Sequence, residues 1–265
     1  MSPALSNDHR QTVGELRTMA RCQWQRLLAR WPLPRLGAGP TRRFVIFGDG
    51  RTGSTLLVRL LDNHPAIHCD DEILHDWCAF PASRVGHHLE HARAEAYGFK
   101  LLTYQLTDVL CLPRARAIAF LDWLEAGGFR VIHLTRDNPV RHALSQIGAR
   151  QHGFHRVRGD ARTRPPIVVR REELFWWLDM IAKHRRDNAA LLAGRDCLTL
   201  EYARDLEDAA AWPRTLARVA DMLGLPTAPA RADLEKLNAG ALEDIVANAD
   251  ELRAFLRETP YAHFL

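Results

Sequence analysis

Apolar runs alternate with amphipathic stretches along most of this chain. Residues 43–47 (Arg43-Phe-Val-Ile-Phe47) are apolar after the first position, the pattern of a central parallel strand buried on both faces. Largely apolar runs at Phe99–Tyr104, Phe129–Leu134 and Cys197–Tyr202 predict further strands, with a short one at Ala66–Cys69. Helical spacing and punctuation predict helices over Ser54–Asn63, ended by His64-Pro65, and over Arg114–Ala126, ended by Gly127-Gly128. A helix opened by Asn138-Pro139 runs to Arg150, and others cover Glu172–Ala193, Ala210–Leu223 and Ala230–Ala239. Strands alternating with helices predict an α/β fold, a P-loop-like parallel sheet flanked by helices.

The pattern also divides the chain. Residues 1–40 are expected to be an N-terminal helix and a Pro/Gly linker, and residues 41–265 the main domain. Residues 1–9 look disordered. Residues 10–31 form a basic amphipathic stretch, and Trp31–Pro40 is rich in Pro and Gly. The amphipathic stretch either packs on the domain or makes a peripheral contact with a membrane surface. No apolar run reaches the roughly 18 residues of a transmembrane span, and no signal-peptide core is visible. Asp70–Ala82 reads as a polar, aromatic loop, and Gly153–Val168 as a basic, mobile flap.

Composition narrows the partners. A chain of 265 residues with 47% hydrophobic content supports one large domain with a substantial core. A net charge of +4 does not call for nucleic acid and suits small polyanionic ligands. The five cysteines (22, 69, 78, 111 and 197) show neither a C-x-x-C pair nor a disulfide framework, so a reducing cytoplasm is expected.

Two strand-to-helix junctions carry the chemistry. Gly48-Asp-Gly-Arg-Thr-Gly-Ser-Thr55 follows the first strand. It matches G-x-x-x-x-G, but Ser54 stands where a nucleoside-triphosphate loop needs Lys. Gly50 and Gly53 allow close backbone approach, while Thr52, Ser54 and Thr55 add hydroxyls. Arg51 adds a planar cation suited to two phosphate oxygens. A tight turn with capping residues uses the same residue types, yet the placement directly after an apolar strand favours an anion loop. In the second junction, Arg136 ends a strand and Ser145 lies nine positions on, inside the next helix. Arg136 and Ser145 either face the same ligand or serve pairing and packing alone.

Taken together, Arg51-Thr-Gly-Ser-Thr55 and Thr135-Arg-Asp-Asn-Pro139 with Ser145 resemble the sulfotransferases that use 3′-phosphoadenosine 5′-phosphosulfate (PAPS). Asn63-His-Pro-Ala-Ile67, Asp71-Glu-Ile-Leu74, Leu198-Thr-Leu-Glu-Tyr202 and the ending Pro260-Tyr-Ala-His-Phe-Leu265 are similar to the bacterial carbohydrate-acting, nodulation-factor-type branch. The resemblance covers residues 43–265 loosely. It implies that residues 50–55 hold the 5′-phosphosulfate and that Arg136 and Ser145 hold the 3′-phosphate, with Arg141 as an alternative. It also implies a nucleotide donor without metal, and a carbohydrate or glycolipid acceptor. The chain departs from the cytosolic relatives, which carry Lys where Arg51 stands. Its Arg136–Ser145 spacing is one longer than in many relatives. It also lacks their Arg-Lys-Gly loop, whose part would fall to the basic stretch Arg150–Arg164.

An acceptor hydroxyl needs a base. Glu72 stands at a position that resembles the catalytic Glu of carbohydrate sulfotransferases, and a partly desolvated Glu is suited to take the proton. His75 is the rival. Lys100 is expected to assist sulfuryl transfer as a compact cation, unless it is a solvated strand-end lysine. Asp70 and Asp71 are expected to be exposed or to cap a turn, and Trp77 to stack on a sugar ring. The spacing of His68, Cys69, His75 and Cys78 fits no common zinc pattern, so no metal is expected. A P-loop nucleotide kinase or other phosphotransferase is the first rival reading, and a non-catalytic nucleotide- or glycan-binding protein the second.

Overall fold

The computed structural model describes residues 18–25, 27, 32–152, 165–232 and 241–264. Its centre is one all-parallel sheet built from β1 (Arg42–Gly48), β2 (Ile67–Asp70), β3 (Ala96–Leu102), β4 (Phe129–Thr135) and β5 (Cys197–Glu201). The strand order is β2-β3-β1-β4-β5, with Ile46 of β1 opposite Lys100 of β3 and Ile132 of β4. The helices are α1 (Ser54–Asp62), α2 (Pro81–His91), α3 (Arg114–Ala126), α4 (Pro139–His152), α5 (Arg171–Leu191), α6 (Trp212–Leu223), α7 (Leu242–Ile245) and α8 (Ala249–Leu256). Two π-helical turns, Gln105–Val109 and Tyr202–Leu206, follow β3 and β5.

The uniform apolarity of β1 has a simple cause, since both of its faces are covered. Phe44 and Ile46 join α1 and α6 residues such as Leu57, Leu60 and Val219 in one core. Val45 and Phe47 point the other way, against Val85, Leu89, Phe120 and Leu124 of α2 and α3. Each fully buried side chain of this size contributes about 2 kcal/mol of transfer free energy. A third core joins α4, α5 and the C-terminal helices through Leu144, Ile147, Leu178, Leu252 and Leu256.

This topology fixes where a ligand can sit. The connection leaving β1 leads to β2 on one side of it, while that leaving β4 leads to β5 on the other. Adjacent strands β1 and β4 therefore flank the switch point, where the carboxyl ends of the strands open a crevice.

Several expectations need correction. The third predicted strand begins at Ala96 and ends at Leu102, because Thr103 and Tyr104 already turn into the π-helical segment. Helix α2 was not expected. Of the helix expected over Ala230–Ala239, residues 230–232 are not helical and the rest lie outside the described residues, as do residues 153–164 of the expected flap. Cys22 and Cys111, separated by 89 residues, form a disulfide. Cys69, Cys78 and Cys197 are free thiols. Residues 1–17 lie outside the described residues, whereas residues 18–25 are helical. Their buried Gln25 donates to the carbonyl of Cys78 at 2.8 Å. No helix among the described residues is long and apolar enough to cross a membrane.

Candidate functional site

The glycine-rich loop is held by sterics as well as hydrogen bonds. A Cβ on Gly48 would lie 2.3 Å from the backbone carbonyl oxygen of Leu134 on β4. Gly53 has φ 88°, and a Cβ there would meet the Tyr202 ring at 2.5 Å. Arg51 also adopts a left-handed conformation, φ 65°, which costs a non-glycine residue about 1 kcal/mol. Loop hydrogen bonds sustain it. Thr52 Oγ1 donates to the Asp49 carbonyl at 2.8 Å, and His142 Nε2 donates to the Gly50 carbonyl at 2.7 Å. Burial pushes the His142 pKa down to about 4, so its ring is neutral at neutral pH. His184 on α5 pairs with Asp49 at 3.1 Å. That hydrogen bond raises its pKa, and its Nε2 has no partner among the described residues.

The second junction closes on the first. Arg51 Nε donates to Ser145 Oγ at 3.3 Å, across 94 residues of sequence. Arg136 Nη1 donates to the Arg51 carbonyl at 3.1 Å. The Arg136 guanidinium also lies 4.7 Å over the Tyr202 ring, a cation–π contact. Burial lowers the pKa of Arg136, and the nearby charges of Arg51 and Arg141 lower it further. Arg185 donates to the carbonyls of Arg136 at 2.5 Å and Asp137 at 2.9 Å. Glu201 at the end of β5 accepts from the amide of Asp137 at 3.1 Å. Structure thus brings Arg51, Arg136 and Ser145 together at the β1–β4 crevice. The N-terminus of α1, where Ser54 is buried, carries no side-chain cap. At Gly50 a Cβ would meet nothing closer than 3.9 Å. The protein's own packing leaves room there, as an approaching ligand requires.

A carboxylate centre adjoins the loop. Lys100 is only 3% exposed, so it is not a solvated strand-end lysine. Its Nζ lies 2.6 Å from Asp71 Oδ1, 2.8 Å from Glu72 Oε1 and 3.2 Å from Thr55 Oγ1. Glu72 Oε2 accepts from Gln105 Nε2 at 2.7 Å and from Tyr104 Oη at 3.0 Å. His75 is largely exposed and directs Nδ1 to the Glu72 backbone carbonyl at 2.7 Å. An open cleft of ≈ 480 Å³ lies alongside, lined by Asp70, Asp71, Glu72, Ile73, His75, Arg84, His87 and His88.

Asp71 is exposed, as expected, while Asp70 is only partly so. Asp71 pairs with Lys100, and Asp70 accepts from Tyr97 at 3.0 Å and pairs with His88 at 2.9 Å. Trp77 is not part of the cleft lining, and Arg21 lies over its ring at 5.7 Å. Among the described residues no group of three or more His, Cys, Asp or Glu side chains is arranged to hold a metal ion.

No protein-family model matches this chain, and no curated protein matches it. Among solved structures it is similar to a sulfotransferase from Alicyclobacillus acidocaldarius, with a TM-score of 0.48 and 15% identity over 86% of this chain and 93% of that one.

Sequence reasoning missed His142, His184, Tyr104, Gln105 and Arg185. Gln105 had a local signal, a polar residue just past an apolar strand that carries Lys100. His184 and Arg185 had none, since α5 reaches the site only through tertiary packing, on α4 and α3 and through Asn188 against Thr103.

Proposed function

We propose that this protein transfers the sulfuryl group of PAPS to a hydroxyl of a carbohydrate or glycolipid, as the carbohydrate-acting sulfotransferases do. The observation that carries this reading is the meeting of Arg51, Ser145 and Arg136 at the crevice between β1 and β4. A donor with a 5′-phosphosulfate and a 3′-phosphate needs two adjacent anion sites, which these two loops supply. It has no γ-phosphate, which accounts for Ser54 where a Walker loop carries Lys.

In this reading Gly50, Arg51, Thr52, Gly53, Ser54 and Thr55 hold the phosphosulfate, with loop amides and the uncapped start of α1 as donors. Arg136 and Ser145 hold the 3′-phosphate, with Arg141 close by. Glu72 takes the proton of the acceptor hydroxyl. The acceptor oxygen bonds to sulfur as the bond from sulfur to the bridging oxygen breaks, and adenosine 3′,5′-bisphosphate leaves. Arg51 stabilises the charge that grows on that bridging oxygen. Lys100 fixes the base beside the loop through Glu72 and Thr55.

Isothermal titration with adenosine 3′,5′-bisphosphate tests the donor site. Saturable binding is expected without magnesium, weakened by Arg136→Ala. No heat at millimolar nucleotide, or preferential binding of ATP with magnesium, would overturn the reading. Glu72→Gln is expected to keep nucleotide binding and lose turnover.

A further inference from the structure

We propose that Tyr104 and Gln105 are positioning residues that orient the Glu72 carboxylate so that Oε1 is the atom receiving the acceptor proton. This inference rests on the reading of Glu72 as the base. It follows from counting lone pairs. A carboxylate offers about four acceptor positions, two on each oxygen. Both positions on Oε2 are used, by Gln105 Nε2 at 2.7 Å and Tyr104 Oη at 3.0 Å. Among the described residues Oε1 receives only Lys100 Nζ, at 2.8 Å. One acceptor position therefore remains on Oε1, beside the cleft that Glu72 lines.

The donors on Oε2 are themselves fixed. Gln105 is fully buried, and its Oε1 accepts the amide of Leu102, the last residue of β3, at 3.0 Å. An amide needs an acceptor, so the Gln105 side chain cannot flip without losing that bond, and Nε2 must face Glu72. Tyr104 is kept as a phenol, because burial first and the Glu72 charge second push its pKa up to about 12. The π-helical turn that starts at Gln105 places both side chains on one oxygen. On the other oxygen, the ammonium of Lys100 has three hydrogens. Its three neighbours are Asp71, Glu72 and Thr55, so it holds Oε1 in place and retains no hydrogen for a further acceptor. The other titratable or charged groups lining this cleft are Asp70 and His75 on the preceding strand and loop and Arg84, His87 and His88 across the cleft on α2.

The test compares Tyr104→Phe and Gln105→Met with Glu72→Gln in the full chain. The Glu72 carboxyl resonance, in protein with isotope-labelled glutamate, is assigned by its loss in Glu72→Gln. Removing a donor to the charged form raises the titration midpoint, so both positioning variants are expected to titrate at higher pH than the parent. With radiolabelled PAPS and a pool of neutral oligosaccharides, kcat is expected to fall about tenfold for each lost hydrogen bond. KM for PAPS and the affinity for adenosine 3′,5′-bisphosphate are expected to stay unchanged.

A Tyr104→Phe protein with the parent's midpoint and kcat would overturn the positioning role. Full turnover in Glu72→Gln would instead remove the base itself, a distinct outcome. If Gln105→Met does not fold, Tyr104→Phe decides, because it deletes one hydroxyl and keeps the ring. If the pool contains no acceptor, the carboxyl titration decides alone.

Discussion

Mild acid is expected to destabilise this protein through one buried ring. His142 is 2% exposed and donates to the carbonyl of Gly50. Burial holds its pKa near 4, whereas a free imidazole titrates near 6.5. Between those values the unfolded chain binds a proton that the native protein refuses. Stability therefore rises with pH across the window, is fully present above about 6.5 and is lost as pH falls towards 4. Each pH unit is worth about 1.4 kcal/mol, so the loss approaches about 3 kcal/mol at the lower end. His184 acts in the opposite sense. Its pKa is raised by Asp49, so its contribution is present below about 6.5 and is lost as pH rises through the raised native value.

His142→Gln isolates the first effect, since an amide can still donate to Gly50 but does not titrate. Urea unfolding of parent and variant at a series of pH values between 4 and 7 reads the difference directly, because every other ionisable group is common to both. The parent's stability is expected to fall more steeply, by up to about 1.4 kcal/mol per pH unit. Parallel stability curves would refute the reasoning, for they would mean that the native protein accommodates the imidazolium.

Two further predictions concern the scaffold. Gly48→Ala places a methyl 2.3 Å from the Leu134 carbonyl oxygen. It is expected to cost about 2–4 kcal/mol or to prevent folding, and an unchanged thermal midpoint would contradict the β1–β4 packing described. Cys22→Ser removes a cross-link spanning 89 residues. It is expected to lower unfolding free energy by about 2–4 kcal/mol under oxidising conditions, and an unaltered denaturation midpoint would count against the bond.

Much of the fold was legible because buried parallel strands leave a simple trace. β1 and β4 appear as apolar runs for the physical reason that helices cover both faces, and the edge strand β5 through Leu198 and Leu200 although Thr199 is exposed. α3 was legible from its ends, with Gly127 and Gly128 marking the stop. α2 was missed although Ala82, Val85 and Leu89 stand at helical spacing on its buried side. Two histidines and an arginine stand between them, and the stretch was assigned no element from sequence. At the candidate site, the two anion loops could be read singly from glycine and arginine placement. Their mutual contact could not, because it depends on β4 lying next to β1. Nor could the surroundings of Glu72. They come from a strand that ends two residues earlier than its apolar run and turns into a π-helix, a transition with no propensity signal of its own.

The loops that meet at Arg51 and the cleft beside Glu72 draw on separate stretches of chain, residues 48–55 and 136–145 for the one and residues 70–88 for the other. Few side chains join these halves, and Lys100 touches Thr55 on one side and Glu72 and Asp71 on the other. Such a seam lets inheritance treat the halves differently. Variation can accumulate along α2 and the loop before it, reshaping the cleft, while the hydrogen bonds between the β1 and β4 loops stay intact. The lysine is the hinge of that modularity, since its loss would uncouple the half that lines the cleft from the half that forms the loops.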